Sequence, residues 1–509
     1  MNDIRKMLEE YTGRDLSPWH MPGHKRKPVF PGMWTELFRF DVTEVPGTDD
    51  LHHAMDAIAR SQEGAADAVG AAYSHYLVGG STAGILASIA AMTKRWRKRT
   101  GREQEAPVFL AASNCHKSVW NGLRLVGAKV VPVVPAEDPV YGPVLTDELL
   151  RVISEEVEDT EAVAGCILTS PTYAGVVSPL GELHAVLEVY GIPLLVDEAH
   201  GAHLPFWEDT ECRSAVECGA EYVVQSLHKT LPALTQTAIL HVSCDLDEEA
   251  VAEELAVFQS SSPSYLLMLS AEQAVDWADR NRDRFPDYME EMQRLREELQ
   301  KELKQLEVVS LPGAQDPSRI MLRAKESMGS EPFTGTMMAD WLERETGIVA
   351  ELAGSRELIL LSSVCDEKED LQRLKDALLQ LDREIRRAWD RAKRSAARKA
   401  KRKAANGTGG VQEKTAGNGS GASTGIAAGG SGPSDLNVTA DRGLSAGTTE
   451  GVGSAGGIVR LPRVGDFVQR DIYVYPPGVP ILRGGERVTE AALQRMKEEQ
   501  EAGRRIYGL

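Results

Sequence analysis

YVVQSLHKT, residues 222–230, decides how this chain is read. Tyr222 to Gln225 has the apolar, β-branched character of a buried strand, yet it runs directly into Ser226, His228 and Lys229. A lysine ammonium is costly to desolvate. One so placed either snorkels back to water or is held there for its chemistry.

Outward from this stretch the same pattern repeats. VFLAAS (108–113), AKVVPVV (128–134), VAGCILTS (163–170), IPLLVDEAH (192–200) and TAILHVS (237–243) are short apolar runs separated by helix-like segments. They predict an α/β fold whose large, mostly parallel sheet is covered on both faces. Ligands of such sheets bind beyond the carboxyl ends of the strands, which directs attention to the residues at the end of each run.

Four strand ends carry capable chemistry. In VGGSTAGILASIAAM (78–92) a small-residue turn feeds a helix, so Ser81, Thr82 and Ala83 can offer N–H groups and hydroxyls to a phosphate. An ordinary Ser/Thr N-cap reads the same way. In NCHKSVWNG (114–122), His116 can stack on an aromatic ring or cap the next helix. Asp197 ends the apolar run of LLVDEAHGAH (194–203), where a carboxylate needs a partner: a cationic ring nitrogen, an arginine or a helix N-terminus. Lys229 in a dry pocket loses pKa, which frees its amine for a Schiff base. Phosphate binder, ring stacker, pyridinium partner and imine lysine together describe one cofactor, pyridoxal 5'-phosphate.

Bulk properties limit the alternatives. A chain of 509 residues, 42% hydrophobic, buries a large core and more than one domain. The net charge of −19 argues against a general nucleic-acid binder and favours cationic small molecules. No signal-peptide pattern and no run of about 18 apolar residues is present, so a soluble, cytoplasmic protein is expected. The six cysteines lack C-x-x-C spacing and read as reduced thiols, with no metal site expected.

Composition divides the chain into an N-terminal arm (1–50), a short helix followed by an irregular Pro/Gly/His-rich stretch, and a large cofactor-binding domain (51–245). A small α+β domain (246–386) follows, with helices such as DYMEEMQRLREELQKELKQLE and strands such as SRIMLRA and ELILLSS. Residues 387–458 carry the end of the basic run RRAWDRAKRSAARKAKRKAA (386–405) and a Gly/Ser-rich tether, and 459–509 form a C-terminal domain. A flexible tether of this length spans about 40 Å. The basic run reads as a solvated helix end, with a scaffold for nucleic acid or an acidic partner as the other reading.

HMPGHK (20–25), DVTEVPGTDDLHH (41–53), GGSTAGILA (79–87), NCHKS (114–118), TSPTYAGV (169–176), VDEAHGAH (196–203), QSLHKTLPALTQ (225–236), SSSPSYLLM (260–268) and YPPGVPILRGGE (475–486) carry a resemblance. The sequence resembles the bacterial ornithine/lysine/arginine decarboxylases of the aspartate aminotransferase fold, in their short form. That resemblance implies that Lys229 makes the imine and Asp197 pairs with the pyridinium nitrogen. Ser81, Thr82, Ser226 and His228 would hold the phosphate, and His116 would stack on one ring face. Ala199 or His200 would lie against the other face, with Thr169 near the phenolic oxygen. It implies a homodimer or higher homo-oligomer with interfacial sites, covered by the N-terminal arm and C-terminal segment.

The expected reaction is decarboxylation of lysine, ornithine or arginine to a polyamine precursor and carbon dioxide, with protonation by Lys229 or His228. An aminotransferase or aldolase of the same fold is the alternative. Glu351 is favoured over Asp49, Asp50 and Glu44 as the carboxylate for the substrate's distal cation. Three features depart from the family: GGE (484–486) in place of PGE, the long tether, and Arg356, which as a carboxylate clamp would favour transamination.

Overall fold

The computed structural model describes residues 1–14, 21–22, 24–27, 32–209, 211–243, 246, 248–325, 333–407, 461–474, 478–502 and 504–509. Parts of HMPGHK and YPPGVP, Cys244 and most of the tether lie outside the described residues. By internal contacts, Met1–Trp389 with Leu461–Leu509 forms one compact unit and Asp390–Arg460 a second. Everything concerning the site belongs to the first.

Eight strands open the chain: β1 (Tyr73–Leu77), β2 (Val108–Ala112), β3 (Lys129–Val133), β4 (Val163–Thr169), β5 (Val176–Val177), β6 (Leu194–Asp197), β7 (Tyr222–Gln225) and β8 (Ala238–Val242). All but β5 form one sheet in the order β1-β8-β7-β6-β4-β2-β3. β3, β2, β4, β6 and β7 are mutually parallel, as expected of runs that are apolar throughout. β8, the run TAILHVS, is antiparallel to both its neighbours, so β1 points the same way as the parallel set. All the strands that precede functional residues therefore end on one edge.

β1 has no counterpart among the predicted runs. Its sequence YSHYL carries Ser74 and His75, both buried, so it lacks the continuous apolar pattern that marks its neighbours. The helix Gly80–Thr100 lies close against β1 and β7 at Gly84, where a Cβ would come within 2.5 Å of Leu77 Cδ1 and 3.2 Å of Val224 Cγ1. The close approach fixes the N-terminus of that helix beside the end of β7.

β9 (Leu306–Val308), β10 (Ala314–Gln315), β11 (Arg319–Ala324), β12 (Leu352–Ala353) and β13 (Glu357–Leu361) follow. β12-β13-β11-β9 make an antiparallel sheet, and β10 pairs with β5. The amphipathic helices Tyr265–Arg280, Arg284–Glu302 and Gly335–Thr346 pack their apolar stripes into the same core as this sheet. β14 (Ile472–Val474), β15 (Pro480–Leu482) and β16 (Ile506–Tyr507) form a three-stranded sheet with the helix Glu490–Glu501.

The N-terminal arm starts with the expected short helix and carries a second, unexpected one. Asp3–Gly13 and Met33–Phe40 are both helical. The first is anchored by Glu272, fully buried, whose carboxylate oxygens accept from Ile4 N–H at 2.9 Å and Arg5 N–H at 3.1 Å. That carboxylate satisfies donors at the helix start that have no partner within the helix. Among the described residues no helix is long and apolar enough to cross a membrane, and Cys115, Cys166, Cys212, Cys218 and Cys365 are free thiols.

Candidate active site

A cavity of about 270 Å³ opens where the strand ends converge. Of the residues predicted for the site, Ser81, Thr82, His116, Thr169, Asp197, His200, Ser226, His228, Lys229 and Glu351 line it. Ala83 does not: it is buried one turn into its helix. Register explains the grouping, because Thr169 of β4 pairs with Asp197 of β6, and Asp197 with Val224 of β7.

Lys229 sits in a one-turn helix, Leu227–Thr230, that follows β7. Burial lowers its pKa, the positive charge of Arg319 lowers it further, and the charge of Asp197 opposes both. Its Nζ lies 3.1 Å from His200 Nε2. His200 is buried and held well below the ordinary histidine pKa by desolvation and then by Lys229, so the imidazole is neutral. With the ammonium donating to Nε2, the ring proton sits on Nδ1, a buried atom with no hydrogen-bond partner. Asp197 is buried too. Desolvation raises its pKa, while Lys229 and the Ala199 N–H, which donates to Oδ1 at 3.2 Å, favour the charged form.

His116 fills the capping role left open by the sequence, since its Nδ1 accepts from Ser118 N–H at 3.3 Å at the start of the helix Lys117–Leu125. It lines the cavity as well, with its pKa lowered by burial to about 4. His228 donates Nδ1–H to the Thr237 carbonyl at 2.8 Å, which leaves Nε2 as the acceptor of a neutral ring. The hydroxyls of Ser81 and Ser226 are hydrogen-bonded to each other across the start of the helix Gly80–Thr100. Gly80 takes φ +73°, a conformation costly for any residue with a Cβ.

Several lining residues escaped the sequence reading. Asn114 is buried, and its amide N–H donates to the carbonyls of Gly142 at 3.0 Å and Val140 at 3.4 Å, with Oδ1 buried and unpartnered. Tyr173 packs against His200 with ring centroids 4.7 Å apart, and its hydroxyl donates to Glu351 Oε1 at 2.5 Å. Val479, from the C-terminal segment, completes the wall. Tyr173 lies inside the quoted TSPTYAGV motif, Asn114 inside NCHKS and Val479 inside YPPGVPILRGGE, so a signal was available for each, although Val479 is some 250 residues downstream of Lys229.

Other candidates lie elsewhere. Asp49 accepts from the N–H groups of Ile58, Asp56 and Met55, Asp50 caps a short turn at His52, and Glu44 accepts from Thr43. These are loop-forming carboxylates outside the cavity lining. Arg356 is exposed between β12 and β13 and does not line the cavity, so the argument for a carboxylate clamp there is lost. The assembled groups can hold an anion at a helix N-terminus, oppose a cationic ring atom with a buried carboxylate, and present an amine of lowered pKa.

Comparison with known proteins agrees with this chemistry. Residues 3–315 match the family described as Orn/Lys/Arg decarboxylase, major domain. The chain is 35% identical to the uncharacterized protein YaaO of Bacillus subtilis, over 70% of this chain and 73% of that protein. It is 26% identical to an arginine decarboxylase of Bacillus anthracis, over 98% of this chain and 93% of that one. Among solved structures, the constitutive lysine decarboxylase of E. coli superposes with a TM-score of 0.69 at 18% identity, covering 100% of this chain and 80% of that chain. Francisella novicida lysine decarboxylase LdcF superposes at 0.62 and 18% identity, with 77% of this chain spanning 60% of that one. At such identities the structures speak for the fold, which is the predicted aspartate aminotransferase class.

Proposed function

This chain belongs to the Orn/Lys/Arg decarboxylase family, and on that premise we propose that it is a pyridoxal-phosphate-dependent decarboxylase. Its substrate is a basic amino acid, lysine, ornithine or arginine, and its products a polyamine precursor and carbon dioxide. The observation that carries the reading is the convergence of Lys229, Asp197 and the Ser81/Ser226 pair on one cavity.

The residues present fit the cofactor. Thr169 Oγ1 and His200 Nδ1 are buried at the cavity without geometric hydrogen-bond partners, as expected of atoms that await a polar ligand. Ser81, Thr82 and Ser226 would hold the phosphate, with the N–H groups at the start of the helix Gly80–Thr100. His116 and Ala199 would bracket the ring, and Thr169 would face its phenolic oxygen. When bound, pyridoxal phosphate supplies an electron sink for the carbanion left as carbon dioxide departs.

The remaining roles are the chain's own. The Asp197 carboxylate, desolvated and beside Lys229, would keep a proton on a ring nitrogen. Lys229 Nζ, its pKa lowered, is the amine that holds the cofactor in place. His200 Nε2 accepts a hydrogen bond from Nζ at 3.1 Å and orients it, while the lowered pKa of Lys229 is what makes the neutral amine available. Lys229 Nζ would return a proton to the substrate's α-carbon, or His228 Nε2 would do so after first taking one up. Tyr173 orients Glu351 at the mouth, where its carboxylate would take the distal cation.

The assembly we propose is a homodimer with the arm 1–50 at the interface, and the setting cytoplasmic. Met21 and Met33 of the arm, and Met55 just beyond it, are exposed in the single chain and support burial of this surface by a second copy. The test is product analysis with lysine, ornithine and arginine supplied separately. One cognate amine with an equal amount of carbon dioxide is expected; a 2-oxo acid in place of the amine would contradict the reading.

A further inference from the structure

Four buried polar side chains sit side by side in the large sheet, one from each of four adjacent strands. Ser74 is on β1, His241 on β8, Gln225 ends β7, and Glu198 immediately follows β6. They are 4%, 2%, 1% and 0% exposed, and none lines the cavity. Gln225 Nε2–H donates to Glu198 Oε2 at 2.7 Å, and Ala215 N–H donates to Oε1 at 2.7 Å. The Gln225 carbonyl oxygen accepts from His241 Nε2–H at 3.2 Å. His241 Nδ1 is then the acceptor for the Ser74 hydroxyl at 2.7 Å. Every donor in the row points the same way, towards the Glu198 carboxyl group.

Such a row adds little to stability by itself. Apolar residues of similar shape fill a sheet core as well, because each internal hydrogen bond replaces one to water. What the row provides is geometry: four directional contacts across four strands admit one relative placement. Its members adjoin the site in sequence. Glu198 lies between Asp197 and Ala199, Gln225 precedes Ser226, and the strand of Ser74 leads into Gly80 and Ser81.

We propose that Ser74, His241, Gln225 and Glu198 are positioning residues that set the relative heights of three strand ends. On the functional reading above, from which this inference starts, those ends carry the phosphate site, the ring-nitrogen carboxylate and the reactive lysine. A site of this kind has to be held to about 0.5 Å, which main-chain pairing of short strands alone does not guarantee.

The test is the affinity of the full-length, cofactor-free protein for pyridoxal phosphate, titrated by absorbance in wild type, Ser74→Ala, His241→Leu, Gln225→Leu and His241→Leu/Gln225→Leu. The melting temperature of each protein is recorded alongside. Gln225→Leu is expected to weaken binding about 10-fold or more and Ser74→Ala about 2-fold. The double variant should bind no worse than Gln225→Leu alone, because a row already broken at its centre has nothing further to lose. Ser74→Ala removes a single hydroxyl and remains informative should the larger changes impair folding. Variants that melt lower yet bind pyridoxal phosphate with wild-type affinity would overturn the positioning role while leaving the function standing. Wild-type protein that takes up no pyridoxal phosphate would overturn both.

Discussion

Lys229 illustrates how little one residue type says and how much its surroundings add. Its ammonium is desolvated and stands against a neutral His200, so the free amine is reached at lower pH than in an exposed lysine. On the proposed reading that amine is the reactive form, so uptake of pyridoxal phosphate should accelerate with pH. Its inflection should lie below the ordinary lysine value of 10.5, read by stopped-flow absorbance. An inflection at or above that value would contradict the burial argument. Asp197→Ala should lower kcat by about 100-fold or more while leaving the melting temperature nearly unchanged, since the deleted carboxylate is itself buried at a cost. Glu351 is exposed, so water screens its charge. Glu351→Gln should raise KM for the cognate amino acid by roughly 5-fold, about 1 kcal/mol, with little change in kcat.

At the scale of elements, legibility followed the chemistry of each strand. β2, β4, β6, β7 and β8 could be read because they are buried on both faces and mostly apolar, and β3, a partly buried edge strand, because of its run of valines. β1 could not, since Ser74 and His75 break the pattern; both are buried, and Ser74 is satisfied only by His241, a partner that folding brings near. The helix Met33–Phe40 was masked by the Pro and Gly before it. Asp197 and Lys229 were legible because each stands where an apolar run ends. Asn114 and Val479 lie inside the motifs NCHKS and YPPGVPILRGGE but do not stand out within them, because their own place at the cavity depends on loops and on a segment far away in sequence. Arg483 stacks over the Trp120 ring at 3.9 Å, tying the C-terminal sheet to the helix that His116 caps. Arg483→Ala should therefore loosen the segment that carries Val479, at a cost of about 1 kcal/mol. Faster proteolysis within residues 461–509 would report it.

For the whole molecule, the buried histidines set a response to acid. Burial lowers the pKa of His75 and His116 from 6.5 to about 4 and that of His241 to about 3. Between pH 6.5 and 4 the unfolded chain takes up protons that the folded one refuses, so stability falls as pH falls. Glu198 acts in the opposite sense: burial raises it from 4.5 to about 8, so between those values the folded state binds a proton that the unfolded state has lost. Glu198→Gln removes that opposing contribution. Its acid destabilisation between pH 6 and 5 should be steeper than wild type by about 1.4 kcal/mol per pH unit, measured by urea midpoints. A proposed homodimer should also show twice the 55.5 kDa chain mass in solution.

The most direct test traces carboxyl-labelled lysine, ornithine and arginine through the wild-type protein and Lys229→Ala, each supplied with pyridoxal phosphate. Wild type should release labelled carbon dioxide from one of the three in step with the matching amine, and Lys229→Ala should release almost none. Equal release by the two proteins, or none by either with the cofactor bound, would contradict the assignment of this cavity as a decarboxylase site.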